Sequence, residues 1–378
     1  MKRWSVGFAA LVVLGSVTRV EAATWSARQL TDNDYEDETP RVSGSNVVWT
    51  GYDGNDREIY VYNGKTTRQL TDNDYDDGGP EVWGSNVVWM GKDREIFFYN
   101  GMTIRQLTDN TYSVLPQVYA SNVVWQGFDG NDWEVFLYDG TDVKQLTDND
   151  YFDFYAQIDG SNVVWCGNDR VLLYDGTSIR QLSDSSSYGN QDVQISGSYV
   201  VWEGSDGDDE EILLYDGTGP RNLSNNDRTM LSDGTDTLPD VSGSNVVWAG
   251  MREVPQAGLS GYHVSLYDGT ATRILSLATG YTGFRPKVSG SNVVWEAWDG
   301  HDEEVLVWDG SSAVRLTDND YTDRYPQISG SNIVWQGWDG QDWEIFQATV
   351  IPEPSTFISC LLAALAITLG WWRRSRAA

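Results

Sequence analysis

The sequence contains few of the side chains on which most enzyme active sites and metal centres depend. Its 378 residues include two histidines, His263 and His301, and two cysteines, Cys166 and Cys360. No Ser-His-Asp or Cys-His set, zinc-ligand cluster or glycine-rich phosphate loop accompanies them. A disulfide framework is also excluded, because Cys360 lies in an apolar C-terminal segment. The chain is therefore predicted to be non-catalytic and to require no cofactor.

Positive charge is scarce as well. Lysine and arginine number 25 against 56 aspartates and glutamates, which gives a formal net charge of −31. A surface of this sign repels a phosphate backbone, so binding to DNA or RNA is excluded. Such a surface favours cations, or it simply keeps the protein soluble in a salty medium.

Residues 1–22 have the pattern of a secretory signal peptide. Lys2 and Arg3 precede the apolar run Val6–Val17, and small residues around Ala22 form a cleavage pattern. The apolar run is too short to span a bilayer comfortably. We therefore predict export through the Sec machinery and removal of these residues.

Residues 351–378 carry a second targeting pattern. Pro352-Glu353-Pro354 leads into the apolar segment Thr356–Trp372, and the basic cluster Arg373-Arg374 follows. Residues 356–372 are predicted to form a transmembrane helix with the arginines on the cytoplasmic side. The whole segment resembles the PEP-CTERM sorting signal. That resemblance implies a Gram-negative host, an inner-membrane intermediate processed by an exosortase, and delivery to the cell surface or extracellular matrix.

The region between these two ends repeats eight times. The marker of each repeat is an apolar tetrapeptide that ends in tryptophan, and copies recur at intervals of roughly 40 residues. The tryptophans are Trp49, Trp89, Trp125, Trp165, Trp202, Trp248, Trp295 and Trp335. In an all-β sequence this period is typical of the blades of a β-propeller.

One unit reads as four short strands. In the first unit we predict them at Arg41-Val42-Ser43, Asn46–Gly51, Glu58–Tyr62 and Thr67–Leu70, with turns rich in glycine, aspartate and asparagine between them. The second and third strands are apolar at successive positions, which is expected of a sheet that is packed on both faces.

The two ends of the repeat region complement each other. Thr24–Leu30 has the pattern of a fourth strand but precedes the first unit, and the last unit, Pro326–Phe346, lacks a fourth strand. Pairing them removes the open sheet edges. We predict that residues 23–350 form a monomeric, all-β, eight-bladed propeller of four-stranded blades, closed by the N-terminal strand.

The repeat resembles the TolB-like propeller family. The shared pattern is an apolar strand ending in an aromatic residue, an Asp-Gly turn, Glu-Ile-Tyr-x-Tyr and Arg-Gln-Leu-Thr-Asp. It stands in Trp49–Asp72 and, with changes, in Trp125–Asp148 and Trp295–Asp318. The resemblance implies the fold but does not select a function, because such propellers serve as scaffolds, binding platforms and enzyme accessory domains.

Strand order predicts which loops share a face of the disc. In an up-and-down blade, the loop between strands two and three and the connection to the next blade emerge on the same side. We call this side the acidic face, because nearly all loop aspartates fall on it. Aspartate suits turns and solubility, but clustered carboxylates are also ligands for Ca²⁺. The candidate calcium ligands are Asp53, Asp56, Asp72, Asp74, Asp129, Asp132, Asp148, Asp150, Asp318 and Asp320.

Aromatic residues beside these loops give a third interpretation, carbohydrate binding, although rings that lock adjacent blades together would show the same pattern. Two segments without aspartate, 251–262 and 276–286, interrupt the acidic face as either a ligand site or a diverged repeat. The candidate ligand-binding residues are Tyr52, Phe128, Trp298 and Trp338 beside loop aspartates, and Tyr262, Tyr281, Phe284 and Arg285 at the interruption.

Together these features predict an exported, cell-surface or matrix-associated, non-catalytic propeller. It is expected to bind a polysaccharide or an envelope protein through the acidic face, with Ca²⁺ as a candidate ion. A purely structural role in the envelope or matrix is the alternative. A glycoside hydrolase is a third interpretation, because two carboxylates suffice for that reaction. However, uniformly repeated aspartates are typical of architecture, whereas a catalytic pair should be unique to particular blades.

Overall fold

The computed structural model describes residues 24–109, 112–183, 191–205, 209–225, 234–254 and 259–351. Within them the chain forms 32 strands, which pair into eight antiparallel sheets of four strands. The predicted signal peptide and the predicted membrane helix at 356–372 lie outside these residues. The helices that are described, η1 (Lys92–Arg94) and η2 (Ser276–Ala278), are single 3-10 turns. No described helix has the length and apolar character needed to cross a bilayer.

We number the sheets as blades 1 to 8 in chain order, each from its inner strand to its outer strand. Blade 1 comprises β2 (Asp37–Ser43), β3 (Asn46–Tyr52), β4 (Arg57–Tyr62) and β5 (Thr67–Gln69), and blade 2 comprises β6 (Gly78–Trp83), β7 (Asn86–Met90), β8 (Ile96–Tyr99) and β9 (Ile104–Gln106). Blade 3 comprises β10 (Ser113–Tyr119), β11 (Asn122–Phe128), β12 (Trp133–Tyr138) and β13 (Val143–Gln145). Blade 4 comprises β14 (Asp153–Asp159), β15 (Asn162–Gly167), β16 (Arg170–Tyr174) and β17 (Ile179–Gln181).

The second half of the ring has the same order. Blade 5 comprises β18 (Gln191–Ser196), β19 (Tyr199–Ser205), β20 (Glu210–Tyr215) and β21 (Pro220–Asn222), and blade 6 comprises β22 (Asp236–Ser242), β23 (Asn245–Val254), β24 (Leu259–Tyr267) and β25 (Thr272–Ile274). Blade 7 comprises β26 (Phe284–Ser289), β27 (Asn292–Trp298), β28 (Glu303–Trp308) and β29 (Ala313–Arg315). Blade 8 comprises β30 (Asp323–Ser329), β31 (Asn332–Trp338), β32 (Trp343–Val350) and the N-terminal strand β1 (Trp25–Gln29).

The ring is closed by the N-terminal strand. β1 pairs antiparallel with β32, from Trp25 opposite Val350 to Gln29 opposite Phe346. Inner strands also meet around the whole ring, and β30 of blade 8 contacts β2 of blade 1. The prediction of eight four-stranded blades with a closing N-terminal strand is confirmed.

The second strand of each blade is buried on both faces because its sheet is packed between two neighbours. The eight repeat tryptophans are at most 1 % exposed. Their clusters join adjacent blades, as where Val47 and Trp49 of blade 1 pack with Val334 and Ile345 of blade 8. Aromatic side chains bury about 150–250 Å² each, so these tryptophans dominate the core.

Five of the buried tryptophans also donate a hydrogen bond to an aspartate at the start of the inner strand of the same blade. The pairs are Trp49 Nε1 to Asp37 (2.7 Å), Trp89 to Asp77 (3.0 Å), Trp165 to Asp153 (3.0 Å), Trp248 to Asp236 (3.0 Å) and Trp335 to Asp323 (2.7 Å). Glycine follows the tryptophan by two residues, and at Gly51 a Cβ atom would collide with the carboxylate of Asp37. Burial raises the pKa of Asp37 to about 6.

The ring provides a matched pair of tryptophans to test this bond. Trp165 Nε1 donates to Asp153, whereas Trp125 Nε1 has no hydrogen-bond partner among the described residues and Ser113 stands where the aspartate would be. We expect Trp165→Phe to lower the free energy of unfolding by about 1–3 kcal/mol more than Trp125→Phe, because it leaves a buried carboxylate oxygen without its donor. Urea denaturation measures the difference, and equal losses would contradict the role of the bond.

Candidate metal centre

The loop between the second and third strands has the pattern Asp-Gly-x-Asp-x-Glu in blades 1, 3, 7 and 8. In blade 1 the Oδ1 atom of Asp53 accepts hydrogen bonds from the backbone N–H groups of Asn55 (2.9 Å) and Asp56 (3.3 Å). The backbone N–H of Asp53 donates to the carbonyl of Asp56 at 3.1 Å, and Gly54 supplies the positive φ of 102° that this tight loop requires. The first aspartate therefore holds the loop in shape.

The folded loop brings three carboxylates together. In blade 1, oxygen atoms of Asp53, Asp56 and Glu58 lie within 4.8 Å of one another. We call this group, with its counterparts in blades 3 and 8, the carboxylate clusters. The counterparts are Asp129, Asp132 and Glu134 in blade 3, and Asp339, Glu344 and Asp32 in blade 8. Asp32 belongs to the connection that follows the outer strand, so that connection also contributes to a cluster.

Each cluster includes or adjoins a buried aspartate that has an oxygen without a hydrogen-bond partner among the described residues. These residues are Asp56, Asp132 and Asp342, which are 8 %, 5 % and 7 % exposed, and the atom is Oδ1 in each. Burying a polar atom without a partner costs about 1–3 kcal/mol, and more when the group is charged. The equivalent Asp302 of blade 7 is 7 % exposed, and both of its carboxylate oxygens lack a partner among the described residues. The same cost therefore recurs at equivalent positions of blades 1, 3, 7 and 8.

Negative charge accumulates around these buried aspartates. Burial raises the pKa of Asp56, and repulsion from Asp53, Asp76, Asp74 and Asp72 raises it further. Burial also raises the pKa of Asp342, and the charges of Asp339, Glu36, Asp34 and Asp32 add to the shift. Repulsion of this kind favours a bound cation or a bound proton.

The glutamate of each cluster is buried within the third strand. Glu58, Glu134 and Glu344 are 0 % exposed, and burial raises the pKa of each to about 7. These three glutamates were not among the ligands predicted from the sequence. The sequence did contain a signal that could have identified them, because one acidic residue recurs at the same position of a third strand that is otherwise apolar.

A chain of hydrogen bonds connects each glutamate to the core of the next blade. Glu58 Oε1 accepts from the backbone N–H of Asn73 at 2.6 Å, and Asn73 Nδ2 donates to Asp77 at 2.7 Å. Asp77 is the acceptor of the buried Trp89. The same sequence of bonds runs from Glu134 through Asn149 to Asp153, and from Glu344 through Asn33 to Asp37. The carboxylate clusters are thus positioned by the blade that follows them.

The predicted calcium ligands are placed as follows. Asp53 and Asp56, and likewise Asp129 and Asp132, share a cluster, and Asp318 joins the equivalent group of blade 7. Asp72 and Asp74 are exposed on the connection but near enough to raise the pKa of Asp56. Asp320 similarly raises the pKa of Asp302. Asp148 and Asp150 are exposed on the connection between blades 3 and 4.

Blade 7 has the same carboxylates with a guanidinium group among them. Oxygens of Asp299, Glu304 and Asp318 lie within 4.8 Å of one another. The Nη2 atom of Arg315 contacts all three carboxylates, at 2.7 Å from Asp299, 2.6 Å from Glu304 and 2.9 Å from Asp318. In this blade the protein itself supplies a cation.

Blades 2, 4 and 6 depart from the loop pattern. In blade 2 the loop is reduced to the 3-10 turn Lys92–Arg94. Strand pairing puts Arg170 of blade 4 and His263 of blade 6 at the position of Glu58. Blade 5 repeats the motif with Asp206, Asp209 and Glu211, but residue 206 lies outside the described part of the chain.

The aromatic residues predicted to bind a ligand mostly pack against other rings. Tyr52 contacts Tyr35 edge-on with ring centroids 5.6 Å apart, Phe128 contacts Trp133 at 6.1 Å, and Trp338 contacts Trp343 at 5.6 Å. The interpretation that these rings hold the structure together is therefore favoured for the three of them. Trp298 is 48 % exposed.

The residues predicted at the interruption are partly brought together. Tyr262, Phe284, Arg285 and Trp298 line one cleft of about 390 Å³ between blades 6 and 7. The Nη1 atom of Arg285 lies 2.9 Å from the buried carboxylate of Glu296, which neutralises its charge. Tyr281 does not line this cleft; its hydroxyl accepts from Arg315 Nη1 at 3.2 Å.

One serine–histidine pair is present, but it belongs to the core. His263 Nδ1 lies 3.0 Å from Ser276 Oγ, and both residues are 0 % exposed. Ser276 also accepts from the backbone N–H of Val264, as Thr71 does from Ile59 in blade 1. The pair thus fills a repeat position, and burial lowers the pKa of His263 below its ordinary value.

No family model and no curated protein matches this sequence. Solved structures match it in fold. The computationally designed Ika8 protein is 19 % identical with a TM-score of 0.58, and the match covers 85 % of this chain and 98 % of that one. The β-propeller domain of the Trilobed protease from Pyrococcus furiosus, which has an open velcro topology, is 10 % identical with a TM-score of 0.51, covering 85 % and 96 %.

A third similar structure is the acylaminoacyl peptidase from Pyrococcus horikoshii. It is 11 % identical with a TM-score of 0.52, and the match covers 86 % of this chain but 53 % of that one. This chain therefore corresponds to about half of the peptidase. At these identities the likeness shows an all-β propeller fold and nothing more specific.

The predicted binding of a polysaccharide or envelope protein through the acidic face is wrong. Similar natural structures include the propeller domain of a protease and two kinds of peptidase, which give no support to a cell-surface polysaccharide-binding role. The physical reason is that the features behind the prediction serve the architecture. Loop aspartates such as Asp53 hold their own loops, and Tyr52, Phe128 and Trp338 pack on neighbouring rings.

The buried glutamates make stability depend on pH. Their pKa rises from an ordinary value of 4.5 to about 7 on folding, so between these values the folded state holds more protons than the unfolded state. The free energy of unfolding should therefore fall as pH rises from 5 to 8 in EDTA. Thermal denaturation across this range tests the sign, and a rise would contradict it. Glu58→Gln should flatten the profile more than Asp142→Asn, which removes an exposed charge elsewhere in the ring.

Proposed function

We propose that this chain is a non-catalytic β-propeller that binds Ca²⁺ at the carboxylate clusters of blades 1, 3 and 8. The observation that carries the proposal is the buried aspartate with a carboxylate oxygen that has no hydrogen-bond partner among the described residues. It recurs at the same position of blades 1, 3 and 8, and also at Asp302 of blade 7. A single oxygen of this kind would be an isolated irregularity, whereas equivalent ones surrounded by further carboxylates indicate sites that lack a positive partner.

The chemistry of the donors favours Ca²⁺ over other common ions. All ligand atoms are carboxylate oxygens, which suit a hard cation rather than zinc or copper. Calcium accepts six to eight oxygens at about 2.3–2.6 Å in flexible geometry. Oxygens bound to one such ion can be about 5 Å apart, and the cluster atoms lie within 4.8 Å of one another. Mg²⁺ requires shorter bonds and near-octahedral geometry, which these irregular clusters match less well.

The position of the clusters gives the ion a structural task. Each cluster joins the loop between strands two and three to the third strand, and in blade 8 also to the connection that follows the outer strand. From the glutamate, hydrogen bonds through an asparagine reach the core of the next blade. We infer that Ca²⁺ fixes the loops of the acidic face and strengthens contacts between neighbouring blades.

We further infer that the propeller is TolB-like and is exported. The support is the pattern of residues 1–22 and the PEP-CTERM-like order of residues 351–378. Calcium sites in extracellular modules have dissociation constants of about 10⁻⁴–10⁻³ M, so an exported protein would meet enough of the ion to load weak sites. Export and calcium binding are consistent with each other, and the two proposals rest on different residues.

Ion stoichiometry tests the proposal. Isothermal titration of EDTA-treated protein with CaCl₂ should show saturable binding, and Asp56→Asn should lower the number of bound ions by one. Asp93→Asn is the matched control, because it removes one charge from the reduced loop of blade 2, which lacks a cluster. Calcium at 100 times its dissociation constant should stabilise the fold by about 2.7 kcal/mol per independent site. No binding at 10 mM CaCl₂, or equal losses in the two variants, would overturn the proposal.

A further inference from the structure

The side of the ring away from the acidic face, which we call the opposite face, carries the inner turn between strands one and two and the outer turn between strands three and four. At the end of the inner strand, five of the described blades have a serine whose Oγ atom accepts a hydrogen bond from a backbone N–H of the next blade. The bonds run from Gly84 to Ser43 (2.9 Å), Gly243 to Ser196 (3.0 Å), Gly290 to Ser242 (2.9 Å), Gly330 to Ser289 (2.8 Å) and Gly44 to Ser329 (2.9 Å). Asp159 of blade 4 accepts the equivalent bond from Gly197. This position therefore serves the architecture in six blades.

In the other two blades an aromatic side chain replaces the serine. Strand pairing puts Trp83 of blade 2 and Tyr119 of blade 3 at the position of Ser43. Neither ring has an acceptor atom where the serine Oγ atom lies, so the hydrogen bond to the next blade is given up. The two rings contact each other with centroids 5.0 Å apart, yet Trp83 remains 40 % exposed. The architecture does not require these rings, because serine fills the same position in five blades.

A third apolar side chain adjoins them on the outer turn of blade 2. This turn lies against the inner turn of the same blade, since a Cβ atom at Gly101 would be 2.9 Å from Ser85 Oγ. The next residue, Met102, is 84 % exposed, whereas the equivalent residue of blades 3 to 7 is threonine or serine. We call Trp83, Tyr119 and Met102 the aromatic patch.

The outer turns next to the aromatic patch lack the carboxylate found elsewhere on this face. In blades 1 and 2 the outer turn begins with Asn63 and Asn100, and Lys65 adds a positive charge. Glu81, two residues before Trp83, is paired with Arg41 at 2.7 Å. In blades 3 to 7 the turn begins with an aspartate: Asp139, Asp175, Asp216, Asp268 and Asp309. The exposed rings therefore lie where this acidic chain has the fewest turn carboxylates to repel another surface.

Both described ends of the chain leave the ring on the opposite face. A third strand runs from the acidic face to the opposite face, so β32 ends there at Val350, paired with Trp25 at the start of β1. Residues 352–355 separate Ile351 from the predicted membrane segment 356–372. An extended chain spans at most about 3.6 Å per residue, so this separation is at most about 18 Å. With that segment in a bilayer, the opposite face is the one held beside the lipid, and blade 1 alone separates the anchored blade 8 from blade 2.

We propose that the aromatic patch is a membrane-docking surface. It seats the opposite face on the lipid head groups and directs the acidic face, with its carboxylate clusters, away from the bilayer. Tryptophan and tyrosine suit the head-group region because each has an apolar ring and a polar tip. Zwitterionic lipid is the expected surface, since the formal net charge of −31 opposes contact with anionic lipid. The inference rests on the predicted membrane segment and on the inferred export, but it does not depend on calcium binding.

Fluorescent labels on the two faces test the orientation of the full chain in phosphatidylcholine vesicles. Met102→Cys places an environment-sensitive label in the aromatic patch. Phe152→Cys places the same label on the acidic face, at a residue that is 59 % exposed on the connection between blades 3 and 4. Both variants also carry Cys360→Ser, and Cys166 is buried. Lipid with a spin label in its head group should quench the label at position 102 and leave the label at position 152 bright.

Further variants separate docking through the aromatic patch from simple tethering by the C-terminal segment. Trp83→Ser combined with Tyr119→Ser restores the residue that five other blades use, so the fold should be kept. The double variant should lose the quenching at position 102. Trp298→Ser is the matched control, because Trp298 is 48 % exposed but lies on the acidic face; it should leave the quenching unchanged.

The outcomes distinguish this inference from the proposed calcium sites. A chain that does not float with the vesicles would overturn both the predicted membrane segment and the docking surface, while calcium binding would stand. Equal quenching on the two faces, or none at position 102, would overturn the docking surface alone. Quenching that persists in the double variant would do the same, because the linker and not the aromatic patch would then set the orientation. Energy transfer between labelled copies without quenching by lipid would assign the patch to a second copy of the chain instead.

Discussion

The hydrogen bond from a buried tryptophan to a buried aspartate, present in five of the eight blades, is the interaction that joins the inner strand of a blade to its second strand. It fixes the inner strand against the second strand, and it holds a carboxylate where water cannot reach it. The second oxygen of that carboxylate accepts from an asparagine of the preceding connection, whose backbone N–H in turn binds a glutamate of the previous blade. A buried polar group must find a partner or carry a free-energy cost. At the junctions of blades 1 and 2, 3 and 4, 7 and 8, and 8 and 1, neighbouring blades are therefore linked by hydrogen bonds between buried polar groups, in addition to apolar packing.

Most of the fold could be predicted from the sequence because it repeats. The tryptophan marker fixed the number of blades, and the unmatched strand at Thr24–Leu30 fixed the closure, which β1 and β32 confirm. The acidic loops were predicted as a group, and in the structure Asp53 and Asp56 share one carboxylate cluster and Asp129 and Asp132 another. The sequence could not show which loop aspartates are buried. Asp56 and Asp72 look alike in sequence, yet Asp56 is buried and Asp72 is exposed. Burial of individual loop residues depends on how the next blade covers them, and no local pattern encodes that.

The third carboxylate of each cluster was missed for a related reason. Glu58 lies in a strand, and its neighbours Ile59 and Tyr60 suggested a purely structural segment. The contacts of Arg315 could not be predicted from the sequence either. Its partners Asp299, Glu304 and Asp318 are separated along the chain and come together around one nitrogen only in the folded blade.

The closing strand has a consequence for how the protein is made. β1 is among the first parts of the propeller to be synthesised, and its partner β32 is the last strand of the ring, more than 300 residues later. Until β32 emerges, β1 has no edge to join, and an unpaired strand is open to pairing with other chains. Contacts between such distant segments also form slowly. A propeller whose chain ends before β32 therefore cannot close its ring.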